Sequence, residues 1–142
     1  MGAELPELTY DLAVAIGKFA ERIVVVSADD VAGYRAVTGD QSPLYERFVP
    51  PGLIGIFSRQ SWLSEHRMPP GGIALRHDAE WIRPALIDRP LVLQASVGGA
   101  ERAGDRRSLT LDPTVCQDGE HVARASITAR WPKGPAWRSP TR

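Results

Sequence analysis

From Pro51 to Leu63 the chain reads as a helix that cannot be left in water. Leu53, Ile54, Ile56 and Phe57 place apolar side chains around most of its circumference, and Ser58, Ser61, Trp62 and Leu63 continue the pattern to about residue 65. A helix apolar on most sides has to be buried. Proline at its front suits a first helical turn, and Met68-Pro69-Pro70-Gly71-Gly72 at its back ends it. A chain of 142 residues has room for one domain, so the rest of the chain must wrap this helix. Gly55 lies inside it and lowers helix propensity by about 1 kcal/mol. That is tolerable where a strand passes close to the helix backbone.

The wrapping material follows directly. Residues 73–82 alternate Ile73, Leu75, His77, Ala79 and Trp81 against Ala74, Arg76, Asp78, Glu80 and Ile82, the pattern of a half-buried strand. Residues 91–97 and 107–116 read as further strands joined through Gly98, Gly99 and Gly104. Gln117-Asp118-Gly119 reads as a hairpin turn into a last strand over 121–131. Before the central helix, residues 1–18 fit either a short helix or a strand, and Ile23 to Val26 is a β-branched run. Ser27-Ala28-Asp29-Asp30 then signals a capped helix with acidic groups in its first turn. Val31, Tyr34 and Val37 follow at helical spacing, with Gly39 as the stop. Residues 40–50 are a loop and 132–142 a loose tail beyond a single domain at 1–131. One buried helix against a curved antiparallel sheet is an α+β arrangement. A sheet this small leaves an edge needing cover, which predicts a dimer.

Composition narrows the function. Hydrophobic residues make up 43%, enough for one core, and 17 basic groups balance 17 acidic ones. No charge field points to nucleic acid or to an anionic membrane. No apolar run approaches the ~18–20 residues of a membrane span, and the N-terminus has no basic region followed by an apolar stretch. The expectation is a soluble cytoplasmic protein. Cys116 is the sole cysteine, so no intrachain disulfide and no cysteine-based zinc site can form. It reads as a small buried apolar residue. No metal and no cofactor is implied.

Three segments together go beyond fold class: Val26-Ser27-Ala28-Asp29-Asp30-Val31 with Tyr34; Thr38-Gly39-Asp40-Gln41-Ser42-Pro43-Leu44; and Pro51-Gly52-Leu53-Ile54. With Trp81-Ile82-Arg83-Pro84 and Asp88, their order resembles the MaoC-like (R)-specific enoyl-thioester hydratase and dehydratase family of the hot-dog superfamily. That family has a capped short helix, a Gly-Asp-x-Asn-Pro-x-His motif, a Pro-Gly-Leu start to its central helix and a strand ending in Arg-Pro-x-x-x-Gly-Asp. The resemblance covers about residues 22–131. It implies a hot-dog fold, an antiparallel sheet around one long central helix, paired as a double hot-dog dimer. The implied reaction is reversible addition of water to a 2-enoyl thioester of coenzyme A or an acyl carrier protein. An Asp and a His activate the water, and backbone N–H groups at the helix start hold the thioester oxygen, where enolate-like negative charge grows.

Carried over by position, Asp40 matches the family aspartate and Gly52 the helix start, where a missing side chain lets a thioester approach the backbone. Ser42 stands at the Asn position and Tyr45 at the catalytic His, and the segment from Tyr45 to Pro51 is shorter than is usual. A histidine both takes and gives a proton near neutrality, whereas a phenol with its ordinary pKa near 10 donates well but is a poor base. Each residue also has a plainer reading. Asp40 suits a turn beside Gly39, Tyr45 a packing aromatic, Gly52 turn chemistry after Pro51, and His77 a hydrogen-bonded core histidine. The candidate catalytic residues are Asp40, Tyr45 and His77, with His77 a stand-in for the absent imidazole. The candidate substrate-binding residues are Gly52, Leu53, Ser42 and Trp81. His66 and His121 read as solvated, and Arg83, Arg89, Arg106 and Arg107 as surface charges able to meet coenzyme phosphates.

Three functions follow as expectations. One is a hydratase or dehydratase acting on an acyl or polyketide-like thioester. The second is a non-catalytic hot-dog subunit that lends structure or acyl-binding surface to an active partner. The third is a repurposed cyclase of natural-product biosynthesis. The partners expected are the thioester and another hot-dog chain, identical or different.

Overall fold

The computed structural model describes residues 3–132. The ambiguous N-terminal segment is a helix, α1 (Tyr10–Ile16), whose first turn is closed by the Thr9 hydroxyl accepting from Leu12 N at 3.1 Å. Strand β1 (Arg22–Val25) leads into α2 (Ala28–Thr38). The start of α2 is a reciprocal cap. Ser27 Oγ accepts from Asp30 N at 3.1 Å, and Ser27 N donates to Asp30 Oδ2 at 2.9 Å. Its end is Gly39 in the left-handed region, φ 72°, with its N–H on Arg35 O. The loop from 40 to 50 carries one 3-10 turn at Pro43–Glu46.

The expected single long helix is broken in two, α3 (Pro51–Ser58) and α4 (Gln60–Leu63). Two serines account for the break. Ser58 Oγ donates to Gly55 O at 2.8 Å and Ser61 Oγ to Ser58 O at 2.6 Å. Such back-bonding competes with the regular ladder, and at the joint Arg59 N reaches Ile56 O in a tighter, 3-10-like bond.

Four long strands complete the sheet: β2 (Ile73–Trp81), β3 (Pro90–Ala103), β4 (Arg106–Gln117) and β5 (Glu120–Trp131). The order is β1-β3-β4-β5-β2, antiparallel throughout. Asp118 and Gly119 both take positive φ, 52° and 79°, so a two-residue turn joins β4 to β5. The glycines expected to end β3 lie inside it. The strand passes through Gly98 with a register shift between Val97 and Gly99, and a Cβ at Gly98 would overlap the Asp112 carboxylate of β4.

Alternation along β4 sends Leu109, Leu111, Pro113, Val115 and Gln117 inward. Two clusters result. One gathers Val26, Val31, Val49, Leu53, Ile54, Leu91, Leu93, Val115 and Val122 beneath α3; the other gathers Leu8, Phe19, Trp62, Leu109, Leu111 and Trp131 around α4. Each large side chain so buried is worth about 1.5–3 kcal/mol.

Strand β2 departs from expectation. It is one of the two sheet edges, paired only with β5, and all nine of its residues are exposed rather than half-buried. Its apolar face meets the helix pair chiefly near Trp81, whose Cη2 lies 3.6 Å from where a Cβ on Gly55 would stand. Ile73 and Leu75, further back, stay 56% and 52% exposed. The expected tail falls outside the described residues apart from Pro132. Among the described residues no helix is long and apolar enough to cross a membrane.

Candidate functional site

The end of α2, the 3-10 turn and the start of α3 converge on one corner. Asp40 follows the Gly39 stop and is held by its backbone. Arg35 Nε donates to its carbonyl at 3.2 Å, and its own N–H donates to Thr38 Oγ1 at 3.3 Å. Its carboxylate Oδ1 accepts from Ser42 N at 3.0 Å, an Asx turn that aims the carboxyl group. The turn at 43–46 then brings Tyr45 beside it, with Tyr45 N on Ser42 O at 3.2 Å. The far end of the loop is pinned to the segment after β2 by Val49 N on Ala85 O at 2.8 Å.

Pro50 ends the loop and its carbonyl accepts from Leu53 N and Ile54 N at 3.0 and 3.2 Å. The Gly52 amide is not among these bonded groups, as befits the first N–H groups of a helix. Above Gly52 stands the ring of Tyr34. A Cβ added at Gly52 would overlap the Tyr34 hydroxyl and lie 3.1 Å from Cζ. Only glycine fits under that phenol.

The electrostatics of the corner centre on Tyr45. Its phenol is pushed above the ordinary value of 10.0 first by burial, then by the Asp40 charge, by Tyr34, and by a hydrogen bond to the Asp40 carboxylate. It therefore stays protonated and donates. A carboxylate beside a protonated phenol can accept a proton at one atom while the other group gives one up.

Next to the pair opens an apolar cavity of about 390 Å³. Tyr45, Phe48, Pro51, Ile54, Trp81 and Arg83 are among its walls. Arg83 is engaged by Glu120, so the cavity is largely uncharged.

The sequence-derived candidates fall into place unequally. Asp40 and Tyr45 meet, Ser42 fixes the Asp40 carboxylate through its backbone, Gly52 lies at the helix start, and Trp81 shares a wall with Tyr45. Leu53 is buried in the core rather than in the cavity wall. His77 lies in a separate narrow crevice with Ile54, Gly55 and Ser58, and not on the cavity that holds Tyr45. His66 is half-buried rather than solvated, edge-on to Phe19 with Nδ1 shielded from solvent. Cys116 points to the outer, partly exposed face of β4 rather than into the core, with Sγ 3.4 Å from His121 Nδ1. Arg89 pairs with Asp118 at 3.1 Å, and Arg107 lies over the Tyr10 ring. Among the described residues no cluster of three or more His, Cys, Asp or Glu is set to hold a metal.

The residue that sequence reasoning passed over is Tyr34. Its spacing with Val31 and Val37 assigns it to a buried stripe, yet Val37 is 89% exposed and Tyr34 leans onto α3. No sequence signal sets the approach of α2 to α3.

No family model matches the sequence, and no curated protein matches it. Solved structures do match its fold. The ChsH1–ChsH2 complex from Mycobacterium tuberculosis superposes with a TM-score of 0.70 at 15% identity, over 87% of this chain and 89% of that one. The C-terminally truncated HadBC (3R-hydroxyacyl-ACP dehydratase) complex from the same organism gives 0.67 at 13%, over 80% and 93%. The R-hydratase PhaJ1 from Pseudomonas aeruginosa gives 0.63 at 21%, over 81% and 79%. Likeness at such identities speaks to architecture and not to chemistry. The five-stranded antiparallel sheet wrapped on a central helix pair is a hot-dog fold of the α+β class.

Proposed function

We propose that this protein is a hydratase- or dehydratase-type lyase acting on an acyl or polyketide-like thioester. The observation that carries the reading is the Asp40 carboxylate beside a protonated Tyr45 phenol, at a helix start with a free Gly52 amide and next to an apolar cavity. The thioester oxygen accepts from the Gly52 N–H, where the helix N-terminus favours the charge that grows there. In the dehydration direction Asp40 removes the proton from the carbon next to the carbonyl. The Tyr45 phenol protonates the departing hydroxyl, which leaves as water. The Asp40 proton then passes to the neighbouring Tyr45 oxygen, and both groups are restored. Hydration is the reverse. His77 has no step in this scheme. Ser42 aims the carboxylate, and Trp81 walls the acyl chain.

A second reading is favoured by β2. Its exposed edge and its apolar face, with Ile73, Leu75 and Trp81 all about half exposed, suit a second hot-dog chain, identical or different. The neighbours crystallised as two-component complexes fit that expectation. Should the partner hold the intact Asp and His, this chain would supply a wall of the acyl site rather than the chemistry.

Hydration of crotonyl-coenzyme A by the purified protein, followed by loss of the conjugated-thioester absorbance, decides between them. Activity lost about 100-fold or more in Asp40→Asn, with the fold intact, is the expected result. A folded dimer without activity would remove the simple hydratase and direct attention to a partner chain or to a bulkier pathway substrate.

A further inference from the structure

Three open spaces follow one another along the helix pair, between it and β2. At one end is the cavity of about 390 Å³ beside Tyr45. At the other is a second apolar cavity of about 290 Å³, walled by Trp62, Met68, Ile73 and Ile127 among others. Between them lies the crevice that contains His77. It holds about 10 Å³, room for no more than a single water. Small side chains line it on both sides: Gly55 and Ser58 on α3, Ala79 on β2, Ala123 and Ala125 on β5.

One large side chain stands between the Tyr45 cavity and this crevice. Ile54 and Trp81 wall both spaces, but Ile54 is buried in the core, while Trp81 reaches across from β2 to α3. A Cβ on Gly55 would lie 3.6 Å from Trp81 Cη2 and would meet nothing else within 4 Å beyond its own helix among the described residues. The tip of the indole therefore takes the space that a side chain at position 55 would enter. The backbone under the indole is fixed. Trp81 is in register with Ala123, and Ile82 N donates to Val122 O at 2.8 Å. Glu80 pairs with Arg124 at 2.6 Å, and Arg83 with Glu120. Core packing is a poor account of such a ring, since Trp81 stays half exposed where Trp62 and Trp131 are buried.

We propose that Trp81 determines chain-length specificity as the end wall of the Tyr45 cavity. An acyl chain whose thioester sits at Gly52 runs along α3 and ends against the indole at Gly55. Three residues of helix separate the two glycines, about 4.5 Å at 1.5 Å per residue, so the ligand is a short-chain thioester. Without the indole the chain would continue past the small side chains of the crevice. That the ligand is a thioester rests on the lyase reading above; the position of the wall does not.

The test is calorimetric binding of butyryl-, hexanoyl-, octanoyl- and decanoyl-coenzyme A, saturated thioesters on which no hydration occurs. Affinity of the wild type should stop rising at or before octanoyl. In Trp81→Ala it should keep rising through decanoyl, by up to about fourfold per added methylene, whatever the variant does to butyryl binding. Trp81→Ala combined with Gly55→Leu puts a side chain back into the vacated space and should restore the early stop, which a variant that was merely loosened would not do. The same length dependence in wild type and Trp81→Ala, or a double variant that behaves as the single one, would overturn the proposal. Binding of none of the four would overturn it together with the thioester reading. Crotonyl-coenzyme A hydration separates the two ideas. An inactive wild type with the expected break ends the lyase reading and leaves Trp81 as the wall of an acyl-holding site. An active wild type with no break does the reverse.

Discussion

The two ends of the sheet treat their aromatic residues differently. Around α4, Trp62 and Trp131 are each 3% exposed, and the Trp131 indole N–H donates to Leu8 O at 2.8 Å. Rings there are closed in, with the indole donor spent on the backbone. Around the start of α3, Tyr34 and Tyr45 pack against an equally apolar cluster but stay partly exposed. One end uses ring area to hold the fold. The other gives up part of that burial and keeps the Tyr45 phenol on the wall of a cavity. On the proposed reading, stability and chemistry are therefore separable by position along the helix pair.

The strongest attack on that separation is at the closed end. Trp131→Ala should destabilise the fold by about 3–5 kcal/mol, through lost burial and the cavity left behind, as read from the urea midpoint. Whatever fraction remains folded should keep its activity per folded molecule. A selective loss of kcat would mean that the ends are coupled.

Gln117 offers a smaller and more pointed test. Its buried amide accepts from Leu86 N at 2.8 Å and donates to Leu86 O at 3.1 Å and Arg89 O at 3.4 Å, stapling the segment that follows β2. Gln117→Ala strands those backbone groups and should cost about 1–3 kcal/mol. Because the same segment carries the Arg83 side of the cavity, substrate affinity should fall as well, measurable as a raised KM.

The smallest effect concerns alkaline pH. The Tyr45 phenol holds its proton more tightly in the folded chain than in the unfolded one, chiefly through burial and the Asp40 charge. Its contribution is therefore complete below the ordinary phenol range. It declines as pH rises from about 10 through the raised folded value, where the native state binds more protons than the unfolded. Urea midpoints between about pH 9 and pH 11 should fall less steeply in Tyr45→Phe than in the parent. Parallel slopes would indicate that Tyr45 is no more constrained than a surface tyrosine.

Features governed by short-range sterics and hydrogen bonds were legible in the residues alone. Ser27 with Asp30 caps α2, Gly39 stops it in the left-handed region, and Asp118-Gly119 turns β4 into β5. The strand character of residues 107–116, most of β4, was legible too. The pairing of Asp40 with Tyr45 was also within reach, because one tight loop carries both.

The break at Arg59, the passage of β3 through Gly98 and the exposed position of β2 depend on tertiary structure. So does the meeting of Tyr34 with Gly52. A strand with one apolar face looks the same in sequence whether it lies at the centre or at the edge of a sheet, since only its neighbours differ. The phenol over the helix start depends likewise on how closely α2 approaches α3. That distance is set by the summed packing of the cluster between them and by no local signal in either segment.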